Sequence, residues 1–131
     1  TPLGGGDLFL TLSLHFNSSQ AYQTTGLTLL RANRFEYIDA IFTFDDKHCA
    51  FERTQQVAFD TSPSETDFLT IDASVTETTT KLDAECGEDT SAFEPGERTI
   101  ANAYVWDAAA ARYVAETDAF KNLARENEGR F

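Results

Sequence analysis

Strict alternation of hydrophobic and polar positions is the main feature of the first part of the chain. In DLFLTLSLHF, four leucines and a phenylalanine fall on one face of a predicted strand, while Phe9, two hydroxyl residues and His15 fall on the other. LTLLRA follows as a shorter strand closed by the turn RANR, and FEYIDAIFTF carries aromatic side chains on both faces. The pattern predicts antiparallel strands, with FEYIDAIFTF central and covered on both faces.

Four more strands are predicted after the turn DDKH. CAFERTQQVAF is followed by the loop DTSPSETD, in which Pro63 cannot take part in a strand ladder. The β-branched run FLTIDASVTETTTKLDAEC comes next. After a further loop, RTIANAYVWD and RYVA are predicted to form a hairpin through the small residues 108–111.

The C-terminal tail predicts one short helix at about residues 118–128. Thr117 or Asp118 is suited to the N-cap position. An apolar stripe at helical spacing consists of Phe120, Leu123 and Ala124. Because a helix of about ten residues is marginally stable alone, we expect it to pack across the sheet.

These elements predict a mainly β (α+β) fold: an antiparallel meander sheet or half-barrel of about six or seven strands with one C-terminal helix. No helices separate the strands, which disfavours a doubly wound fold. Residues 1–7, TPLGGGD, are interpreted as a linker or frayed N-terminus. Residues 8–131 are interpreted as a single domain, which is long enough for one hydrophobic core. The oligomeric state does not follow from the sequence.

The chain is strongly acidic, with 22 acidic against 10 basic residues and a net charge of -12. Such a charge disfavours nucleic acid or an anionic membrane surface as a partner, because both would repel the protein. No apolar run approaches the roughly 20 residues of a membrane span, so we predict no membrane insertion. The acidity serves either solubility or the recognition of a basic protein.

Cys49 and Cys86 are the two cysteines of the chain. Neither lies in a C-x-x-C motif or a His/Cys cluster, and we interpret Asp45, Asp46 and His48 as turn residues, so we predict no metal site and no cofactor. The alternatives are two buried thiols in a cytosolic protein or a disulfide in an exported one. We expect the disulfide and, with it, an extracytoplasmic location, periplasmic or secreted.

The C-terminal pattern AYVWD followed by RYV and a short helix containing L-x-R-E-N resembles the last hairpin and helix of uncharacterised bacterial periplasmic proteins. It covers about 30 residues of the 131. The resemblance implies a bacterial, exported protein and carries no activity with it.

One predicted sheet face combines aromatic rings with hydroxyls and carboxylates, a composition that suits a ligand or a partner protein. This interpretation assigns Leu8–Leu14, Leu69–Val75, Ala101, Ala103 and Val105 to the core side. The candidate binding residues on the opposite face are Phe9, His15, Tyr37, Asp72, Tyr104 and Trp106. Alternatively, the helix covers the aromatic rings and the polar residues face water.

We therefore predict a non-enzymatic, exported β-rich domain that binds a protein or a small ligand. One alternative is an acidic inhibitor of a basic secreted enzyme such as a lysozyme. The other is a small hydrolase. No catalytic residue is assigned, because there is no G-x-S-x-G motif and adjacent His48 and Cys49 would point to opposite faces of a strand.

Cys49 and Cys86 should be bridged in the purified protein. Because the bond would close a loop in the unfolded chain, it would stabilise the fold by about 4 kcal/mol in the chain-entropy model. Intact mass after alkylation, with and without prior reduction, tests the bridge. Alkylation of both thiols before reduction would contradict it.

Overall fold

The structure, a computed structural model, describes residues 1–82 and 94–130. Seven strands follow one another in an antiparallel meander and one C-terminal helix completes the fold, which confirms the predicted fold class. The elements are β1 (Asp7–Phe16), β2 (Gln20–Arg31), β3 (Arg34–Lys47), β4 (Phe51–Ser62), β5 (Thr70–Lys81), β6 (Gly96–Asp107), β7 (Arg112–Ala115) and α1 (Ala119–Glu128). No helix in the described part of the chain is long and apolar enough to cross a membrane.

Two of the hairpin turns fall where they were predicted, whereas the predicted turn DDKH is wrong for Asp45 to Lys47, which belong to β3. Ala32 and Asn33 form a two-residue turn between β2 and β3, with φ of 49° and 59°. Positive φ at both positions belongs to the type I′ turn, whose twist matches that of the paired strands. The β6–β7 hairpin turns through residues 108–111, as predicted.

The sheet splits into two halves between β3 and β4. These long strands pair only at one end, where Asp46 lies opposite Arg53 and Lys47 opposite Glu52. By contrast, β1, β2 and β3 pair along their lengths, and so do β4 and β5. Beyond the shared end the two halves diverge, which leaves a gap that other parts of the chain fill.

The hydrophobic core lies between the diverging halves. Its buried members are Leu3, Leu8, Leu27, Leu29, Ile41, Ile71, Ala73, Val75, Tyr104, Tyr113, Phe120 and Leu123. Strands from both halves contribute to it, and so do the helix and the N-terminal segment. Burial of this apolar surface is the main favourable term in folding.

The N-terminal residues pack against the sheet, in place of the linker expected from their composition. Leu3 is fully buried in the core, and its carbonyl accepts a hydrogen bond from the Leu69 N–H at 2.9 Å. Thr1 pairs with Leu8 through backbone hydrogen bonds in both directions. Residues 1–3 therefore belong to the folded domain.

The helix begins close to the predicted position and covers β3 and β6. The turn before it is fixed by Asn102, whose amide donates to the Thr117 carbonyl at 3.0 Å and accepts from the Thr117 N–H at 3.2 Å. Phe120 and Leu123 are buried, as the apolar stripe predicts. The third buried helix residue is Asn127, a polar residue.

Asn127 joins the end of the helix to both sheet halves. It exchanges two amide hydrogen bonds with Gln55 on β4, at 2.8 and 3.0 Å, and donates to the Phe42 carbonyl on β3 at 3.3 Å. Gln55 also donates to Glu77 on β5 at 2.7 Å. Side chains thus bridge the place where β3 and β4 have separated.

Glu77 extends this network to two arginines. Its carboxylate accepts from Arg98 at 2.9 Å and from Arg130 at 2.8 Å, and Glu126 lies at 2.6 Å from Arg98 and 2.9 Å from Arg130. The Glu77 side chain is only 7% exposed. A buried carboxylate requires this density of donors to remain charged.

Lowering the pH should destabilise the protein through Glu77. Burial alone would raise the pKa of this carboxyl, but hydrogen bonds from Arg130, Gln55 and Arg98 lower it from 4.5 to about 2. The resulting stabilisation, about 3 kcal/mol, is complete above the unfolded pKa of 4.5 and is lost as the pH falls toward 2. Chemical unfolding at a series of pH values measures the loss.

A matched pair of variants isolates the effect. Glu77→Gln should lower the free energy of unfolding by about 3 kcal/mol at neutral pH and flatten the acid dependence, because it leaves two arginine contacts unbalanced. Glu126→Gln touches the same two arginines from a position that is 43% exposed, so we expect a loss below about 1 kcal/mol. Equal losses in the two variants would contradict this role of Glu77.

Candidate functional site

Exposed hydrophobic side chains are concentrated on β1 and on the beginning of β3. The large exposed hydrophobics are Phe9, Leu10, Leu12, Leu14, Phe16, Phe35 and Tyr37. On β1 only Leu8 is buried, although the alternation predicted that Leu8–Leu14 would all face the core. An apolar strip of this kind on a folded domain indicates an interaction surface.

The later leucines stay open although they share a sheet face with the buried Leu8. Leu8 pairs with Leu29, Leu12 with Thr25 and Leu14 with Gln23, and both Leu29 and Thr25 are buried. All lie on the same face, because directly paired residues share a face of the sheet. Leu12 is nevertheless 69% exposed, so the cover provided by the rest of the chain ends before this part of β1.

Within residues 1–82 and 94–130, no strand pairs with the outer edge of β1, which is the first strand in the sheet order. The N–H and C=O of Leu8 point away from β2, since both bond to Thr1. Along an antiparallel strand the direction of these groups alternates from residue to residue. Leu10, Leu12, Leu14 and Phe16 therefore also direct their N–H and C=O groups to the free edge.

Charge is absent from this edge in a protein that is acidic elsewhere. Residues 8–31, which comprise nearly all of β1 and β2, contain no aspartate or glutamate. Edge strands are usually protected from pairing by lysine, proline or inward-pointing charge, and β1 has none of these between Leu8 and Phe16. We define the β1 edge as Leu10, Leu12, Leu14 and Phe16.

Phe9 and Tyr37, both predicted binding residues, lie on the opposite sheet face in one row across three strands. Phe9 pairs with Thr28 on β2, and Thr28 pairs with Tyr37 on β3. Phe9 packs edge-to-face on Phe35 with ring centroids 5.8 Å apart. These three rings form an aromatic patch next to the β1 edge.

Tyr104 lies in the interior, on the side of the sheet that the helix covers, and Trp106 is partly buried against the core. Tyr104 is 1% exposed, and its hydroxyl donates to Asp39 at 2.7 Å. Burial first, and the Asp39 carboxylate second, raise the pKa of this phenol. Trp106 stacks on Phe68 with centroids 3.8 Å apart. The assignment of faces on β6 is thus corrected: Ala101 is exposed and Asn102 is buried, the reverse of the expected parity.

Asp72 belongs to a groove on the other half of the sheet, with a volume of about 650 Å³. Small side chains form the floor, among them Ala58, Ser74 and Ala101. Asp72 on β5 is directly paired with Asp60 on the neighbouring strand β4. Like charges in this arrangement repel each other, so the groove has a negative potential.

The two histidines are held by neighbouring side chains. His15 stacks on Tyr22 with ring centroids 4.9 Å apart. His48 lies 3.1 Å from Asp46. Burial alone would raise the pKa of the Asp46 carboxyl, but hydrogen bonds from Arg53 and His48 lower it below its ordinary value. Within residues 1–82 and 94–130, no three His, Cys, Asp or Glu side chains are grouped as metal ligands. Cys86 lies outside the described residues, so its bridge to Cys49 stays a prediction.

Sequence reasoning missed the four residues of the β1 edge, because alternation alone assigned them to the core. The signal that would have found them is the acid-free stretch of residues 8–31 at one end of a chain with a net charge of -12. Phe35 was also missed as a binding candidate, since it was attributed to a covered central strand.

Comparison of the chain with protein-family models, with curated proteins and with solved structures gave no match. The resemblance of the C-terminal hairpin and helix to bacterial periplasmic proteins therefore stays an expectation from the sequence.

Trp106→Ala and Tyr37→Ala should separate core from surface aromatics. Trp106 contacts Phe68, Tyr113 and the Arg31 guanidinium, so we expect its truncation to lower the free energy of unfolding by about 3 kcal/mol. Tyr37 is 73% exposed, and its truncation should change stability by less than about 0.5 kcal/mol. Urea unfolding of both variants provides the measurement, and a stable Trp106→Ala protein would contradict the packing described.

Proposed function

We propose that this protein is a non-enzymatic, exported binding module that recognises another polypeptide by strand addition at the β1 edge. The observation that carries the proposal is that the same four residues combine large exposed apolar side chains with backbone N–H and C=O groups that no strand in the described part of the chain pairs. Main-chain hydrogen bonds give affinity in this mode of recognition, and alternate side chains give specificity.

The proposal accounts for both faces of β1. An added strand would hydrogen bond to the edge and lay its alternate side chains beside Leu10, Leu12 and Leu14. On the opposite face it would lie next to the aromatic patch, where Phe9 is 44% exposed. A polypeptide that alternates apolar and small polar residues is therefore the partner chemistry that fits.

The exported location is supported by the predicted Cys49–Cys86 disulfide and by the resemblance to periplasmic proteins. The inhibitor alternative is favoured by a different observation, the acidic groove around Asp60 and Asp72, with Glu116 also on its wall. A basic enzyme held there would dissociate as salt rises. Strand addition at an uncharged edge should not weaken with salt, which separates the two mechanisms.

A synthetic peptide that alternates leucine with threonine or serine, flanked by uncharged serine and asparagine for solubility, tests strand addition. Its binding should slow hydrogen exchange of the Leu10, Leu12 and Leu14 amides and shift their NMR signals, because these N–H groups become hydrogen bonded. The same peptide with N-methyl groups on alternate residues cannot complete the ladder and should not bind.

Leu12→Pro and Leu12→Thr form the matched control. Proline removes an N–H that points to the free edge and leaves the hydrogen bonds from β1 to β2 intact, because those involve the alternate residues. We expect the Leu12→Pro variant to bind the peptide at least about tenfold more weakly, the loss of roughly 1.4 kcal/mol. Leu12→Thr keeps the N–H and should retain strand addition with a smaller loss. Equal binding by Leu12→Pro and the parent would overturn the proposal.

A further inference from the structure

We infer that the polypeptide added at the β1 edge is a second copy of this chain, which pairs antiparallel through β1 about a twofold axis at Ser13. This inference rests on the proposed strand addition and names its partner. An isologous contact of this kind requires that one surface be complementary to itself, and three features of β1 meet that requirement.

The first feature is the symmetry of the free hydrogen-bonding groups. Beyond Leu8, whose edge groups bond to Thr1, the β1 residues whose N–H and C=O groups face the edge are Leu10, Leu12, Leu14 and Phe16, and their midpoint is Ser13. An axis there places Leu10 opposite Phe16 of the second copy, and Leu12 opposite Leu14. Each is a hydrogen-bonded pair, in which the two residues exchange both bonds. All four free positions are used in this register.

The second feature is the position of Thr1. Thr1 already hydrogen bonds to the Leu8 N–H at 2.7 Å and to the Leu8 C=O at 3.0 Å. A register centred on Thr11 would place Leu14 of the second copy opposite Leu8, where these groups are already bonded. The N-terminal segment thus limits pairing to the later part of β1 and excludes that register.

The third feature is electrostatic. Two chains with a net charge of -12 each repel one another, and an interface that opposed carboxylates would be disfavoured further. The register about Ser13 opposes no two carboxylates. On the face of the aromatic patch, Ser13 meets Ser13 and Thr11 meets His15. Contact through residues 8–31, which contain no aspartate or glutamate, would therefore add no carboxylate to the interface.

Sedimentation of the purified full chain over a wide range of concentration tests the dimer. We expect a monomer–dimer equilibrium that shifts toward the dimer as salt rises, since salt screens the repulsion between the acidic copies. Leu12→Pro should raise the dimer dissociation constant at least about tenfold. A chain that stays monomeric at every concentration and salt, or a dimer unaffected by Leu12→Pro, would overturn the inference.

Cysteine substitution tests the register. Ser13→Cys should form an intermolecular disulfide on mild oxidation, because the Cα atoms of a non-hydrogen-bonded antiparallel pair lie about 4.5 Å apart, within the range for a disulfide. Thr11→Cys is the matched control on the same face, where the two copies of residue 11 would be about 13 Å apart along the strands. The parent protein gives the background from Cys49 and Cys86. Crosslinking of Thr11→Cys in place of Ser13→Cys would overturn the register.

Failure of the dimer is distinguishable from failure of strand addition. A monomeric chain that still protects its β1 amides when the alternating peptide binds would reject the second copy and leave the proposed function intact. A chain that neither dimerises nor binds the peptide would reject both. Association that requires a cationic protein and weakens as salt rises would instead assign recognition to the acidic groove.

Discussion

The fold depends on how backbone groups are satisfied where β3 and β4 separate. The Phe44 N–H donates to the Gln55 side chain at 2.8 Å, and the Gln55 N–H donates to the Asp45 carboxylate at 2.7 Å. Asn127 completes the set from the helix. A buried amide left without a partner costs about 1–3 kcal/mol, so the sheet can open only where side chains replace the missing ladder. The end of the helix is therefore part of the hydrogen bonding of the sheet.

The same opening determines where the surface stays apolar. The helix enters between the diverging halves and covers β3 and β6, and the N-terminal segment covers the core near Leu8. Neither reaches the later part of β1, although its leucines share the face of Leu8. The exposure of Leu12 and Leu14 thus follows from the length and placement of the covering elements, not from a change in the pattern of β1.

Local sequence determined the strands and turns more reliably than it determined what covers them. The alternation in β1 and the β-branched run of β5 predicted strands, and the stripe of Phe120 and Leu123 predicted the packed side of the helix. The burial of Gln55 and Asn127 had no local signal, because they meet across 72 positions of the chain. The parity of β6 was misassigned for a related reason. Ala101 and Tyr104 lie on opposite faces of β6 and either could be buried, so the position of the helix determines which face is covered.

The charge distribution of the chain affects which molecules can pair with the open edge of β1. An apolar edge strand without lysine or proline invites pairing with any exposed strand, and the acid-free β1 and β2 provide no local repulsion. Repulsion comes instead from the acidic remainder of the chain, which acts at long range and disfavours random association between copies. Thr1 closes one end of the edge through its bonds to Leu8. A second copy would have to satisfy the four remaining positions in register to offset that repulsion with hydrogen bonds and apolar contact.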